Sequence, residues 1–194
     1  MEMLNNFWIQ ITNSVAWKSV FSHLQWIDWL VLFAVVFGFF GGLKKGFTRA
    51  FLEALTVAAA LVLTLEFYLQ AAALLKPALD FLSDEMLGLT SFFAVALGTI
   101  FILRFLFWGL LFILPAADSS VVESGLAVFF NIISKLLLLS LAAQAVLIGP
   151  WGGLKQVFGN GDSYTGYRLV QLAVRLHEWM HGPLTALRAV LLPS

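Results

Sequence analysis

Two groups of residues could carry chemistry. Toward the C-terminal end, His177-Glu178-Trp179-Met180-His181 fits the pattern H-E-x-x-H. On a helix this pattern puts two imidazoles on one face to bind zinc, with the glutamate as general base. A catalytic zinc takes a third protein ligand, and no His, Asp, Glu or Cys follows His181. Asp162 or His23 would reach the pair only by folding back, and His177 falls toward the apolar side of its helix. Coincidence or simple interfacial packing is therefore the expected account of His177 and His181, and metal binding is not. The second group comprises Glu53, Glu66, Arg104, Asn131 and Lys135, polar residues standing in long apolar stretches. No phosphate-binding glycine loop, serine nucleophile elbow or carboxylate dyad accompanies them. Nothing selects a quinone or pigment pocket among the aromatic residues, so no cofactor is expected.

The elements that must position these groups follow from composition. Residues of the AVILMFWYC class make up 61% of the chain and charged residues only 11%, against about 25% charged in an ordinary soluble domain. A chain of 194 residues has no interior large enough for so much apolar surface, whereas a bilayer accommodates it. Eleven Lys plus Arg balance eleven Asp plus Glu, so the basic excess of a nucleic-acid binder is missing. The absence of cysteine rules out disulfides and thiolate metal sites. Met1-Glu2-Met3 lacks a basic n-region, and no removable signal peptide is expected.

About 20 apolar residues cross the hydrocarbon as a helix, and four stretches qualify: about Trp26–Leu43, Phe47–Leu75, Leu89–Ala116 and Val121–Trp151. All should be helices, because lipid offers no partner to an unpaired backbone group. Residues 26–151 thus form a four-span membrane domain. Residues 1–25 are expected to form an amphipathic helix lying in the interface, and residues 152–194 a linker followed by a second such helix. In the second, Arg168, Gln171, Arg175 and Glu178 form a polar stripe opposite Leu169, Leu172, Ala173, Leu176 and Met180 over Tyr167–His181. Gly182-Pro183 is expected to break that helix. Tryptophans 8, 17, 26, 29, 151 and 179 fall near headgroup level, where the indole is favoured.

Lys44, Lys45 and Arg49 occupy the first connection, and Asp80, Asp84 and Glu85 the second. By the positive-inside rule the first is cytoplasmic, which puts both termini on the external side. Lys155, Arg168, Arg175 and Arg188 in the tail pull the other way. Gly42 and Gly46 are expected to let the chain turn tightly at the first connection. Gly38, Gly42 and Gly46, four residues apart, leave a strip of helix without side chains. The strip serves either a partner or second copy of the chain, or close packing within the chain.

Trp26-Ile27-Asp28, Gly38, the turn Gly42-Leu43-Lys44-Lys45-Gly46-Phe47-Thr48-Arg49 and Glu53 together resemble the colicin V production protein (CvpA) family. Ser124-Gly125-Leu126-Ala127-Val128-Phe129-Phe130-Asn131 is similar to the small-residue entry into that family's last span. It departs from the family at Glu123-Ser124 and at Asn131, where a glycine is usual. The resemblance implies a bacterial inner-membrane protein of four spans, tied to toxin production or export and envelope upkeep, with no established chemistry.

An uncompensated charge at a helix centre costs roughly 2.5–3.5 kcal/mol on insertion scales, so Arg104 and Lys135 need partners. Counting about 1.5 Å of rise per residue sets Lys135 level with Glu66, and Arg104 within reach of Glu66 or Glu53. Two readings follow: a polar pathway for a proton, ion or small solute, or static pairs that fix helix register. The expected function is correspondingly a non-enzymatic accessory or scaffold subunit in lipid, alongside other membrane proteins or copies of itself. The alternatives are a small transporter or channel using Glu66, Arg104 and Lys135, and, least favoured, a zinc protease.

Overall fold

The computed structural model describes residues 25–113, 121–159 and 163–191. The described residues form six α-helices and no strand: α1 (Trp26–Lys44), α2 (Phe47–Leu75), α3 (Asp84–Ile113), α4 (Val121–Ile148), α5 (Gly152–Gly159) and α6 (Tyr164–Leu191). Four of them, α1 to α4, are long and apolar enough to cross a membrane. The N-terminal amphipathic segment lies outside the described residues.

Local chemistry sets the helix ends. At the start of α1 the Asp28 carboxylate accepts the Gln25 backbone N–H at 2.8 Å, satisfying a donor that the first turn leaves unpaired. Lys45 (φ −102°, ψ 137°) and Gly46 (φ −67°, ψ 156°) are both extended and form the elbow into α2. Neither needs the left-handed backbone that glycine supplies, so the elbow turns without relying on glycine conformation, contrary to expectation. α3 starts five residues before the apolar run at Leu89. Ser83 Oγ accepts the Met86 N–H at 3.4 Å, and Asp84 and Glu85 sit in the first turn, where the helix dipole favours acids. Gly149-Pro150 closes α4 three residues short of Trp151, and the expected linker beyond it contains the short α5. α6 runs through Gly182-Pro183 to Leu191 rather than breaking there. A proline inside a helix forfeits one i→i−4 bond, and the bonds on either side carry the helix past it.

In space α4 lies between α1 and α2, while α3 packs on the far side of α2. α6 lies across α4 and α2 with α5 beside it. One buried cluster joins Val57 and Leu61 of α2, Phe92 and Ala96 of α3, Leu137 of α4 and Ala173 of α6. A smaller cluster of Ile27, Ala143, Phe158 and Leu169 ties α1, α4, α5 and α6 together. The outer faces remain apolar: Phe37 is 68% exposed and Phe101 74%. Such faces require lipid around them, since water would penalise roughly 25 cal/mol for each Å².

α2 and α4 are strongly staggered. Phe130, nine residues into α4, packs edge-on against Phe51 at 5.1 Å and contacts Phe47, the first residue of α2, at 5.8 Å. α4 therefore begins well beyond the level of the elbow, and Leu43 to Phe47 share a small pocket with Glu123 and Ser124.

Candidate functional site: a charged network and a cationic cavity at the elbow

The stagger brings the polar residues of α4 to the elbow. Asn131 and Lys135, one helical turn apart, share the face turned toward α1 and α2. Asn131 is fully buried, and its Nδ2 donates to the Gly38 carbonyl at 2.7 Å. Its Oδ1 accepts from Lys45 Nζ at 3.3 Å. Lys45 also pairs with Glu53, and Lys135 Nζ reaches the other carboxylate oxygen of Glu53 at 3.4 Å. One carboxylate on α2 therefore serves two ammonium groups, one from the elbow and one from α4.

Asn131 reaches the α1 backbone because glycines let the two helices approach. A Cβ on Gly42 would sit 2.4 Å from Val128 Cα, one on Gly38 2.8 Å from Ile132 Cα, and one on Gly41 2.7 Å from Asn131 Nδ2. The strip formed by Gly38 and Gly42 is thus occupied by the chain's own α4 and is closed to an outside partner. Gly46 does not belong to it, since a Cβ there would meet nothing within 4 Å among the described residues. Gly41, passed over by the four-residue spacing, does.

Glu66 lies elsewhere. Thirteen residues beyond Glu53, or about 20 Å along α2, its Oε2 meets His177 Nε2 at 3.0 Å, both side chains being 24% exposed. Lys135 consequently pairs with Glu53 and not with Glu66. Counting rise from the helix ends assumed that α2 and α4 start level, and the long lysine side chain extends toward the elbow as well. His177 is committed to Glu66, Glu178 and Trp179 face outward, and the His181 side chain lies outside the described residues. Among the described residues no group of three or more His, Cys, Asp or Glu could hold a metal ion.

The apolar face of α6 rests on protein. Leu169 and Ala173 are buried, Ser140 Oγ donates to the Leu169 carbonyl, and Gln144 Nε2 donates to the Val170 carbonyl at 3.2 Å. Arg168, Arg175 and Glu178 are exposed on the opposite side. The expected amphipathic stripe is present, but its apolar half docks on α2 and α4 rather than lying on lipid alone.

Arg104 enters none of these contacts. It lines a cavity of about 570 Å³ between α2 and α3 at the elbow end. Arg49, Leu52, Glu53 and Thr56 form the α2 wall, Phe101, Arg104, Phe105 and Trp108 the α3 wall, and Lys45 closes one end. The α2 wall follows i, i+3, i+4, i+7 spacing, as do Phe101, Arg104, Phe105 and Trp108 on α3, with Phe107 beside them, so each wall is one helix face. The buried contacts between α2 and α3 lie on the other side of Val57 and Ala96, so the cavity opens where that packing stops.

Sequence reasoning assigned Lys44, Lys45 and Arg49 to topology alone. Lys45 and Arg49 also belong to the network and to the cavity wall. A readable signal was Asn131 itself: a buried amide opposite a glycine strip has the bare backbone of that strip as its nearest acceptor. For Glu66 the signal was the position of His177 on the apolar face, where an imidazole needs a partner inside the bundle.

No curated protein and no solved structure matches this chain. The family model described as Colicin V production protein matches residues 27–164, from the first turn of α1 to the first residue of α6. That match takes in all four spanning helices, the elbow and every member of the Glu53 network, and the chain accordingly belongs to the colicin V production protein family of membrane proteins.

Proposed function

We propose that the protein is a non-enzymatic accessory or scaffold subunit of a bacterial inner-membrane assembly, serving toxin production or export, or envelope upkeep. The observation that carries this reading is the use made of Glu53. Its carboxylate joins Lys45 and Lys135, and Asn131 bonds the α1 backbone. Charges held in this way fix the register of three elements, as a rigid platform requires. A relay would need Glu66, Arg104 and Lys135 along one path, whereas they face His177, the α2–α3 cavity and Glu53 respectively. Partners, other membrane proteins or further copies, would dock on the apolar outer faces of α1 and α3, because the glycine strip is already filled.

The test is purification from the native membrane in mild detergent. A stoichiometric partner or a defined homo-oligomer is expected, and a lone monomer would count decisively against the scaffold. In this reading the elbow is cytoplasmic and both termini are periplasmic. The chain lacks cysteine, so Lys44→Cys and Asp84→Cys can be labelled in intact cells without background. An impermeant maleimide should modify only the second.

A further inference from the structure

Arg104 stands nine residues before the end of α3, about 13 Å along the helix, between the outward-facing rings of Phe101 and Phe105. A guanidinium does not shed its proton, so this charge needs an anion at membrane depth. Neither Arg104 nor Arg49 makes a hydrogen bond or ion pair with a described residue, although both line the same cavity. The carboxylate on that wall, Glu53, is already shared by Lys45 and Lys135. The cavity therefore holds three cations, Lys45, Arg49 and Arg104, against one carboxylate that is fully engaged.

Its shape adds a second constraint. The cavity extends from the elbow, where Arg49 lies in the first turn of α2, to Thr56, about 10 Å deeper by helical rise. A volume of about 570 Å³ falls within the roughly 300–1,000 Å³ of small-molecule sites. The α3 wall is aromatic and open to the lipid side, with Phe105 68% and Trp108 69% exposed. An occupant must bring negative charge to the arginines and apolar surface to the aromatic wall. Free phosphate satisfies the first demand only. The planar arginine fork matches phosphate oxygens, and basic pockets between spanning helices suit anionic headgroups.

We propose that this cavity is a binding site for one anionic phospholipid, its phosphate between Arg49 and Arg104 and its acyl chains along Phe101, Phe105 and Trp108. The inference is independent of the scaffold reading, since a lone monomer could bind the lipid equally well.

The experiment uses the full chain in vesicles containing equal amounts of phosphatidylglycerol and phosphatidylcholine with matched acyl chains. Retained lipid is identified by native mass spectrometry after release into mild detergent. One phosphatidylglycerol should be retained with at least about tenfold preference. Each basic residue near such a surface contributes a factor of about 5, so Arg49→Gln and Arg104→Gln should each reduce the preference by about that factor, and the double variant should abolish it. Arg104→Lys should keep part of it, and Lys76→Gln, at the opposite end of α2, all of it. Inorganic phosphate at millimolar concentration should not displace the lipid. No preference in the wild-type protein, an undiminished preference in a folded double variant, or displacement by inorganic phosphate would each overturn the assignment. The first and third measurements need no variant, so a failure of the double variant to fold leaves the test standing.

Discussion

Replacing Gly42 with alanine places a methyl carbon 2.4 Å from Val128 Cα, with the Val128 nitrogen at 2.9 Å. Carbon atoms settle at about 3.5–4.0 Å, so α1 must retreat from α4 by more than about 1 Å. The obstruction is backbone within a helix, which cannot swing aside as a side chain can. The retreat also stretches the 2.7 Å bond from Asn131 Nδ2 to the Gly38 carbonyl beyond the roughly 3.5 Å at which a side-chain hydrogen bond is lost. Overpacking of this kind costs about 1–3 kcal/mol, and an interhelical polar bond in a membrane contributes about 0.6–2 kcal/mol. Together these give a loss of about 2–5 kcal/mol. Reversible unfolding in mixed micelles titrated with dodecyl sulfate, followed by circular dichroism, reads it directly. Gly98→Ala serves as control, because a Cβ there meets nothing within 4 Å among the described residues. It should be neutral or stabilising by up to about 1 kcal/mol, the gain of alanine over glycine inside a helix. If Gly42→Ala is as harmless as Gly98→Ala, the close α1–α4 contact does not hold the bundle together and the account of Asn131 fails with it.

Other perturbations probe the remaining contacts. Glu53→Gln leaves two ammonium groups without their carboxylate and should destabilise by about 2–4 kcal/mol; in the same titration Lys45→Gln should lose distinctly less, because Lys135 still pairs with Glu53, and equal losses would contradict a shared carboxylate. Thr64 Oγ1 and Ser134 Oγ are buried without a hydrogen-bond partner among the described residues, so Thr64→Val and Ser134→Ala should be neutral or stabilising by up to about 1 kcal/mol, and a marked loss of stability would point to a bond made there. Ala173, on the inner face of α6, is fully buried; Ala173→Leu should lift that helix and raise its hydrogen exchange while α1 to α4 keep their protection, and exchange unchanged along α6 would place the helix elsewhere. His177→Ala should leave the metal content of the purified protein unaltered, because His177 serves Glu66, and a loss of stoichiometric zinc would revive the rejected metalloprotease reading.

The membrane class, the four spans and the turn motif could be read from the sequence because each rests on local physics. A run of about 20 apolar residues needs lipid wherever it occurs in a chain. The Gly42-to-Arg49 motif carried the family resemblance without any knowledge of packing. Element ends were less legible: the α3 start and the passage of α6 through Pro183 depend on hydrogen bonds that apolar patterning does not encode.

The amino-acid sequence by itself determined that this protein lives in lipid as a bundle of helices, because transfer of apolar surface from water depends on composition and run length. Only the tertiary structure decided which charge meets which. Glu53 takes Lys45 and Lys135, Glu66 takes His177, and Arg104 is left facing a cavity. These choices turn on the stagger of α4 against α2 and on how closely the glycines of α1 let α4 approach. Both are distances between helices, and a one-dimensional pattern gives only the spacing along each.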